Sequence, residues 1–226
     1  MFSIKKEKKA QQWVNKKEEE GLNNVDGNLT GPLKLEGKDK IRNLLIIGRT
    51  GGGKSALANV LSDSDEFEES ARSVSKTRTF QKKEFEWNGV KYRVVETDKI
   101  GEGINFMPEG ISRILFVVDG VFTKEIATFI FENDIVEYTT IVRTKFGDFK
   151  NKDECEKDKQ LLEKSGSIAE IVKFCSIIYV DNPPTNIIFS DEDDVEQVKN
   201  NRKRRTRSKT ILLNHLETVC QGKYYN

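Results

Sequence analysis

The chain has 226 residues, 33% of them charged and 36% apolar, with 38 basic against 37 acidic side chains and a net charge near +1. That length can bury one full core with tails. A near-neutral balance, with a pI of about 7.6, removes any global attraction to nucleic acid or acidic membranes. Cys155, Cys175 and Cys220 lack C-x-x-C spacing and are odd in number, which fits reduced thiols rather than a disulfide framework or a zinc site. The amino terminus lacks the apolar stretch of a signal peptide, and no run approaches the ~18–20 apolar residues of a membrane span. The expected location is cytoplasmic, with no integral membrane segment.

Residues 1–40 are rich in lysine and glutamate and punctuated by glycine, so they are expected to form a flexible charged arm. The first core strand is predicted over 43–47, as an unbroken apolar run suited to a buried parallel strand. It runs into Gly48-Arg49-Thr50-Gly51-Gly52-Gly53-Lys54-Ser55-Ala56, which fits G-x-x-x-x-G-K-[ST]. A helix over 54–62 follows, so the motif stands in the strand–turn–helix context that gives it meaning. Glycines let the backbone turn several N–H groups onto a polyphosphate at the positive end of the helix. Lys54 would reach the terminal phosphates, and the Ser55 hydroxyl would take a place on Mg²⁺.

A polar loop over 63–79 leads to alternating residues 80–87, then Asn88-Gly89, then 90–95: a β-hairpin. A long loop followed by a hairpin belongs to the translation-factor and Ras-like GTPases rather than to small-molecule kinases, which favours GTP over ATP. Further strands are predicted at 114–118, 139–143 and 176–180, the last stopped by Pro183-Pro184. Helices are expected over 124–132 and 153–173, the latter interrupted at Gly166. Asp191 to Asp194 should cap a final helix ending near Cys220. The fold class is therefore α/β: a three-layer P-loop NTPase G domain with a mostly parallel sheet and one antiparallel hairpin strand. Its expected limits are 41–184, with 185–226 forming a charged linker and helix.

The loop from Gly48 to Ala56 resembles the G-[RK]-T-G-x-G-K-S-[AS] loop of the avirulence-induced-gene (AIG) type GTPases, a family that includes the immunity-associated GIMAP proteins and is related to septins and the chloroplast-import Toc GTPases. The resemblance covers roughly 41–184. It aligns Ser75-Lys76-Thr77-Arg78-Thr79-Phe80-Gln81 with the family's S-[VI]-T-K-x-x-Q segment, which implies Thr77 near Mg²⁺ and the terminal phosphate, or Ser75 or Thr79 in that place under a shifted alignment. At the family's D-T-x-G motif this chain has Glu96 for the aspartate and Lys99 for the glycine. A literal D-x-x-G follows two residues on, from Asp98 to Gly101. Either carboxylate can hold a metal-bound water, and Asp98 joins Ser55 and Thr77 as a metal-site candidate. At the base-reading motif Thr144 and Lys145 are kept, Gly147 replaces the aspartate, and Asp148 comes one residue late. Asn182, after the last strand, matches the family's base-contacting asparagine. Phe122-Thr123-Lys124-Glu125 resembles an F-T-x-E box, in which Thr123 also reads as a plain helix cap.

What the resemblance implies is a guanine-nucleotide-binding protein with GTP or GDP and Mg²⁺ as cofactors. The nucleotide contacts would be Gly48 to Ala56, Thr77, Lys145 and Asn182. Hydrolysis would be slow, because no glutamine follows the third motif to orient water, so turnover needs a group from a second subunit or a partner. Nucleotide-dependent pairing as a homodimer or with a protein partner is the expected output, and nucleic acid is not an expected partner. The departures at Glu96, Lys99 and Gly147 leave open a pseudo-GTPase scaffold that keeps the fold without a cycle. The basic run from Arg202 to Lys209 reads as a solvated helix balanced by the acidic residues just upstream.

Overall fold

The computed structural model describes residues 41–69, 81–97, 103, 105–120, 130, 135–220 and 224–225. Six strands form one sheet: β1 Arg42–Gly48, β2 Gln81–Trp87, β3 Val90–Glu96, β4 Arg113–Val118, β5 Thr139–Arg143 and β6 Ser176–Tyr179. Their order is β2-β3-β1-β4-β5-β6. Every pairing is parallel except β2 with β3. The described helices are α1 Lys54–Ser62, α2 Lys152–Glu163, α3 Gly166–Phe174 and α4 Glu192–Val219.

The apolar run of β1 explains the three layers. Alternate residues of a strand point to opposite faces. Leu44 and Ile46 enter a core with Leu57 and Leu61 of α1 and Leu212, Leu213 and Leu216 of α4. Leu45 and Ile47 enter the opposite core, with Phe116, Ile141 and Ile171 of α3. Both faces of the central strands are covered, which is why they carry no polar alternation. The hairpin strand β2 lies at the sheet edge and does alternate, and Phe85 stacks on Tyr92 of β3 with ring centroids 5.3 Å apart. Its turn has Asn88 at φ 50° and Gly89 at φ 74°, both in the left-handed region that a two-residue hairpin turn requires.

The helical stretch expected over 153–173 is two helices, with Gly166 opening the second. Asn151 caps α2, its side chain accepting from the N–H groups of Asp153 and Glu154. Asp191 caps α4 by accepting from Asp194 N–H. No described helix is long and apolar enough to cross a membrane. The expected arm over 1–40, the switch-like segment 70–80 and the helix over 124–132 lie outside the described residues, apart from Ile130, which is buried.

Beneath the N-terminal ends of β4 and β5 sits a buried polar cluster. Arg113 Nε donates to Thr140 Oγ1 at 2.8 Å, and its other nitrogens donate to the carbonyls of Glu137 and Thr139 at 2.7 and 3.0 Å. His215 Nε2 lies 3.0 Å from the same hydroxyl. Burial first, and the Arg113 guanidinium second, lower the imidazole pKa to about 4. An unfolded histidine titrates near 6.5, so the unfolded chain takes up this proton first. The stability tied to the neutral ring is present above about pH 6.5 and is lost as pH falls towards 4. Urea midpoints should therefore drop between about pH 7 and pH 5, and His215→Asn should flatten that slope. An unchanged slope in the variant would show that other groups carry it.

Candidate nucleotide site

The chain leaves β1, builds β2 and β3 on one side, and then crosses to β4 on the other. That places a crevice outside the carboxyl end of β1, where ligands bind in open α/β sheets. The loop 48–53 occupies it. Gly48 has φ 148°, and a Cβ there would lie 2.5 Å from the Val117 carbonyl oxygen. Gly53, at φ 93° and ψ 21°, is the N-cap of α1 and offers no side-chain cap. The first N–H groups of α1 thus face the loop at the positive end of the helix. Lys54 is only 7% exposed, and its Nζ donates to the carbonyls of Gly48 at 3.0 Å and Arg49 at 3.3 Å. Gly52 N–H closes the turn on Arg49 O at 3.2 Å, while Thr50 and Gly51 stay exposed and Ala56 is half-buried in the first turn of α1.

Ser55 Oγ donates to Glu96 Oε1 at 3.1 Å. Glu96 therefore stands beside Ser55, the serine expected at the metal site. Thr77, Asp98 and Lys99 lie outside the described residues, as does Phe122-Thr123.

The loop after β5 closes on the same place. Thr144 Oγ1 donates to Gly52 O at 2.6 Å, and Lys145, in the left-handed region at φ 55°, donates to Gly51 O at 2.7 Å. Lys145 Nζ also meets Asp119 Oδ2 at 3.1 Å, and Asp119 Oδ1 takes Arg49 Nε at 2.6 Å. Burial raises the Asp119 pKa, but bonding to Arg49 and Lys145 outweighs it and holds the carboxyl below its ordinary value. Asp119 was not among the residues expected from sequence. The available signal was an acid placed directly after the wholly apolar β4.

Asn182 follows β6 on the same side of the sheet, and both polar atoms of its amide are buried without a hydrogen-bond partner among the described residues. Asp148 is exposed. Gly147 faces open space: a Cβ there meets nothing within 4 Å.

Three cations of the basic run on α4 hold these loops by pairing with acids of other elements, while Arg202, Lys203 and Arg207 stay exposed to solvent as expected. Arg204 Nε binds Asp181 Oδ2 at 2.6 Å and its Nη2 donates to Gly147 O at 2.6 Å. Arg205 pairs with Glu69 at 2.5 Å and donates to Pro183 O at 2.7 Å. Lys209 pairs with Asp63. The helix turns these cations inward because their carboxylate and carbonyl partners sit along one edge of the core.

A family model, the AIG1 family, matches residues 42–118. Over this stretch, about a third of the chain, the sequence is similar to the AIG1 family. The match spans the glycine loop, the hairpin and β4, the part of the chain that surrounds the crevice. Solved structures of similar shape include the translation elongation factor SelB of Methanococcus maripaludis in complex with the GTP analogue GppNHp, at 17% identity, TM-score 0.42, over 79% of this chain and 34% of that one. Toc33 of Arabidopsis thaliana in complex with GDP and Mg²⁺ matches at 13% identity, TM-score 0.46, over 81% of this chain and 86% of that one. LeoA, a bacterial dynamin GTPase from ETEC, matches at 14% identity, TM-score 0.49, over 97% of this chain and 43% of that one. The chain thus spans about a third of SelB and under half of LeoA.

Two glycine substitutions separate close packing from turn freedom. Gly48→Ala drives a Cβ into a backbone oxygen and should cost about 2 kcal/mol or more. Gly51→Ala, at φ 78° but with open space around it, should cost roughly 1 kcal/mol. Equal losses in urea unfolding would contradict the placement of Gly48 against β4.

Proposed function

We propose that this chain binds a guanine nucleotide, GTP or GDP, with Mg²⁺, and uses the bound state as an interaction switch with slow or partner-dependent hydrolysis. The observation that carries this reading is the convergence of the two loops: Thr144 and Lys145 are hydrogen-bonded to Gly52 and Gly51 at 2.6 and 2.7 Å. These bonds bring the loop that would cradle phosphates and the lysine that would pack on the base side by side. The AIG1-family match over 42–118 supports it.

The residues present fit such a ligand. Gly48 to Gly53 and the start of α1, through Ala56, supply backbone N–H groups and a helix terminus for phosphate oxygens. The Lys54 ammonium, now held by two carbonyls, adds the positive charge for the terminal phosphates. Ser55 and Glu96 would offer oxygens to Mg²⁺, with Thr77 and Asp98 the further candidates from sequence, for an ion that keeps waters and takes few protein ligands. The metal would neutralise phosphate charge. On the base side, the Lys145 stem offers a packing surface. A buried amide without partners costs about 1–3 kcal/mol, and the donor and acceptor of Asn182 would be satisfied by a purine edge. Arg49 and Lys145 share Asp119, so this carboxylate positions both cations at the rim.

Titration with fluorescent GDP, GTP and ATP analogues, with and without Mg²⁺, tests the reading. Guanine nucleotides should bind more tightly than ATP, and Lys54→Ala should weaken binding at least tenfold. Absence of binding, or equal affinity for ATP, contradicts it. Because Gly147 has room for a side chain, Gly147→Asp should fit and should sharpen guanine preference by supplying the missing carboxylate. Unchanged selectivity would mean the base lies elsewhere.

A further inference from the structure

The outward face of α4 is not used by the nucleotide site. Its inward residues Val198, Asn201, Ser208, Leu212, Leu213 and Leu216 are buried, while Glu192, Val195, Glu196, Lys199, Arg202, Lys203, Thr206 and Arg207 are exposed. Those eight recur at spacings of three and four and so lie along one side of the helix. The face is divided by charge: acids in the first turns, bases in the next two. Glu196 and Lys199 pair at 3.5 Å, and Arg202, Lys203 and Arg207 form no ion pair among the described residues. Beside the helix, Ile188 is 88% exposed, Phe189 59% and Val195 54%. Phe189 and Val195 line an open groove of about 750 Å³ with Lys199, Arg202, Lys203 and Arg207.

We propose that this face is the contact between two copies of the chain, with the two α4 helices packed antiparallel about a twofold axis near Lys199 and Asn200. A long polyanion such as a lipid surface or nucleic acid would meet Glu192 and Glu196 along with the cations. The fitting partner presents the same two blocks in reverse order, and α4 itself does so. In an antiparallel pair the register that sets Glu196 against Lys203 also sets Glu192 against Arg207. A twofold interface is self-complementary, so each pair forms twice. The charged stretch from Glu192 to Arg207 is roughly 22 Å long, and Phe189 and Val195 give its groove an apolar lining. Near the axis the two Lys199 ammonium groups approach each other, and each already has Glu196 of its own chain. This pairing does not depend on the nucleotide, because the face lies on the solvent side of α4, away from the loop 48–53.

Sedimentation velocity of the full chain without nucleotide, from about 5 to about 200 µM at roughly 50 and 500 mM NaCl, tests it. A dimer that forms with concentration and weakens in high salt is expected. Glu196→Lys and Lys203→Glu should each weaken association at least tenfold, and the double reversal should restore it. The pair Glu192→Lys and Arg207→Glu should behave alike, as an independent check should one variant fold poorly. A monomer throughout, dimerisation indifferent to the single reversals, or double reversals that fail to restore association would each overturn the proposal. So would a monomeric chain that sediments with phosphatidylserine vesicles, which would assign the face to a lipid surface.

Discussion

Position 48 has no room for a side chain. A Cβ there would sit 2.5 Å from the Val117 carbonyl of the neighbouring strand, so the backbone leaving β1 must turn while still pressed against β4. Everything at the crevice follows from that close approach. It brings the glycine loop under the ends of β4 and β5, where Thr144 binds Gly52 and Lys145 binds Gly51. It also sets Asp119, the first residue after β4, between Arg49 and Lys145. The loop is thereby fixed by backbone contacts on one side and by charge-assisted bonds on the other, the stronger kind of hydrogen bond.

The same surface shows how a nearly neutral chain distributes a large number of charges. Lys54 is turned onto carbonyls, Arg49 and Lys145 share one buried carboxylate, and Arg204, Arg205 and Lys209 of α4 each meet an acid from another element. Exposed ion pairs contribute little singly. These join distant segments, and the Arg205 pair has side chains only 11% and 20% exposed. The helix α4 accordingly does two things: its leucines complete one core, and its inner cations brace the loops after α1, β5 and β6.

Much of this was legible in the sequence. The apolar run before Gly48 marked a strand buried on both faces, Asn88-Gly89 marked the hairpin, and the glycine loop marked the crevice. Each rests on local chemistry that a short window contains. Less accessible was the pairing of the basic run, because Asp63, Glu69 and Asp181 lie far from it along the chain and only the fold brings them near. Proximity in sequence pointed to Asp191 through Glu196 as the balancing acids, and three of the basic residues turned elsewhere. Asp119 was missed for a related reason: its value comes from two cations supplied by separate loops. Glu96, a departure from the family pattern, proves to be the carboxylate in contact with Ser55.

The central claim is that the first loop and the loops after β5 and β6 form one ligand surface. Amide hydrogen exchange on the full chain, with and without GDP and Mg²⁺, tests it most directly. The account predicts slowed exchange at 49–56 together with 144–147 and 180–182 at the same nucleotide concentration. Protection limited to the first loop, or none at any of the three segments, would contradict it.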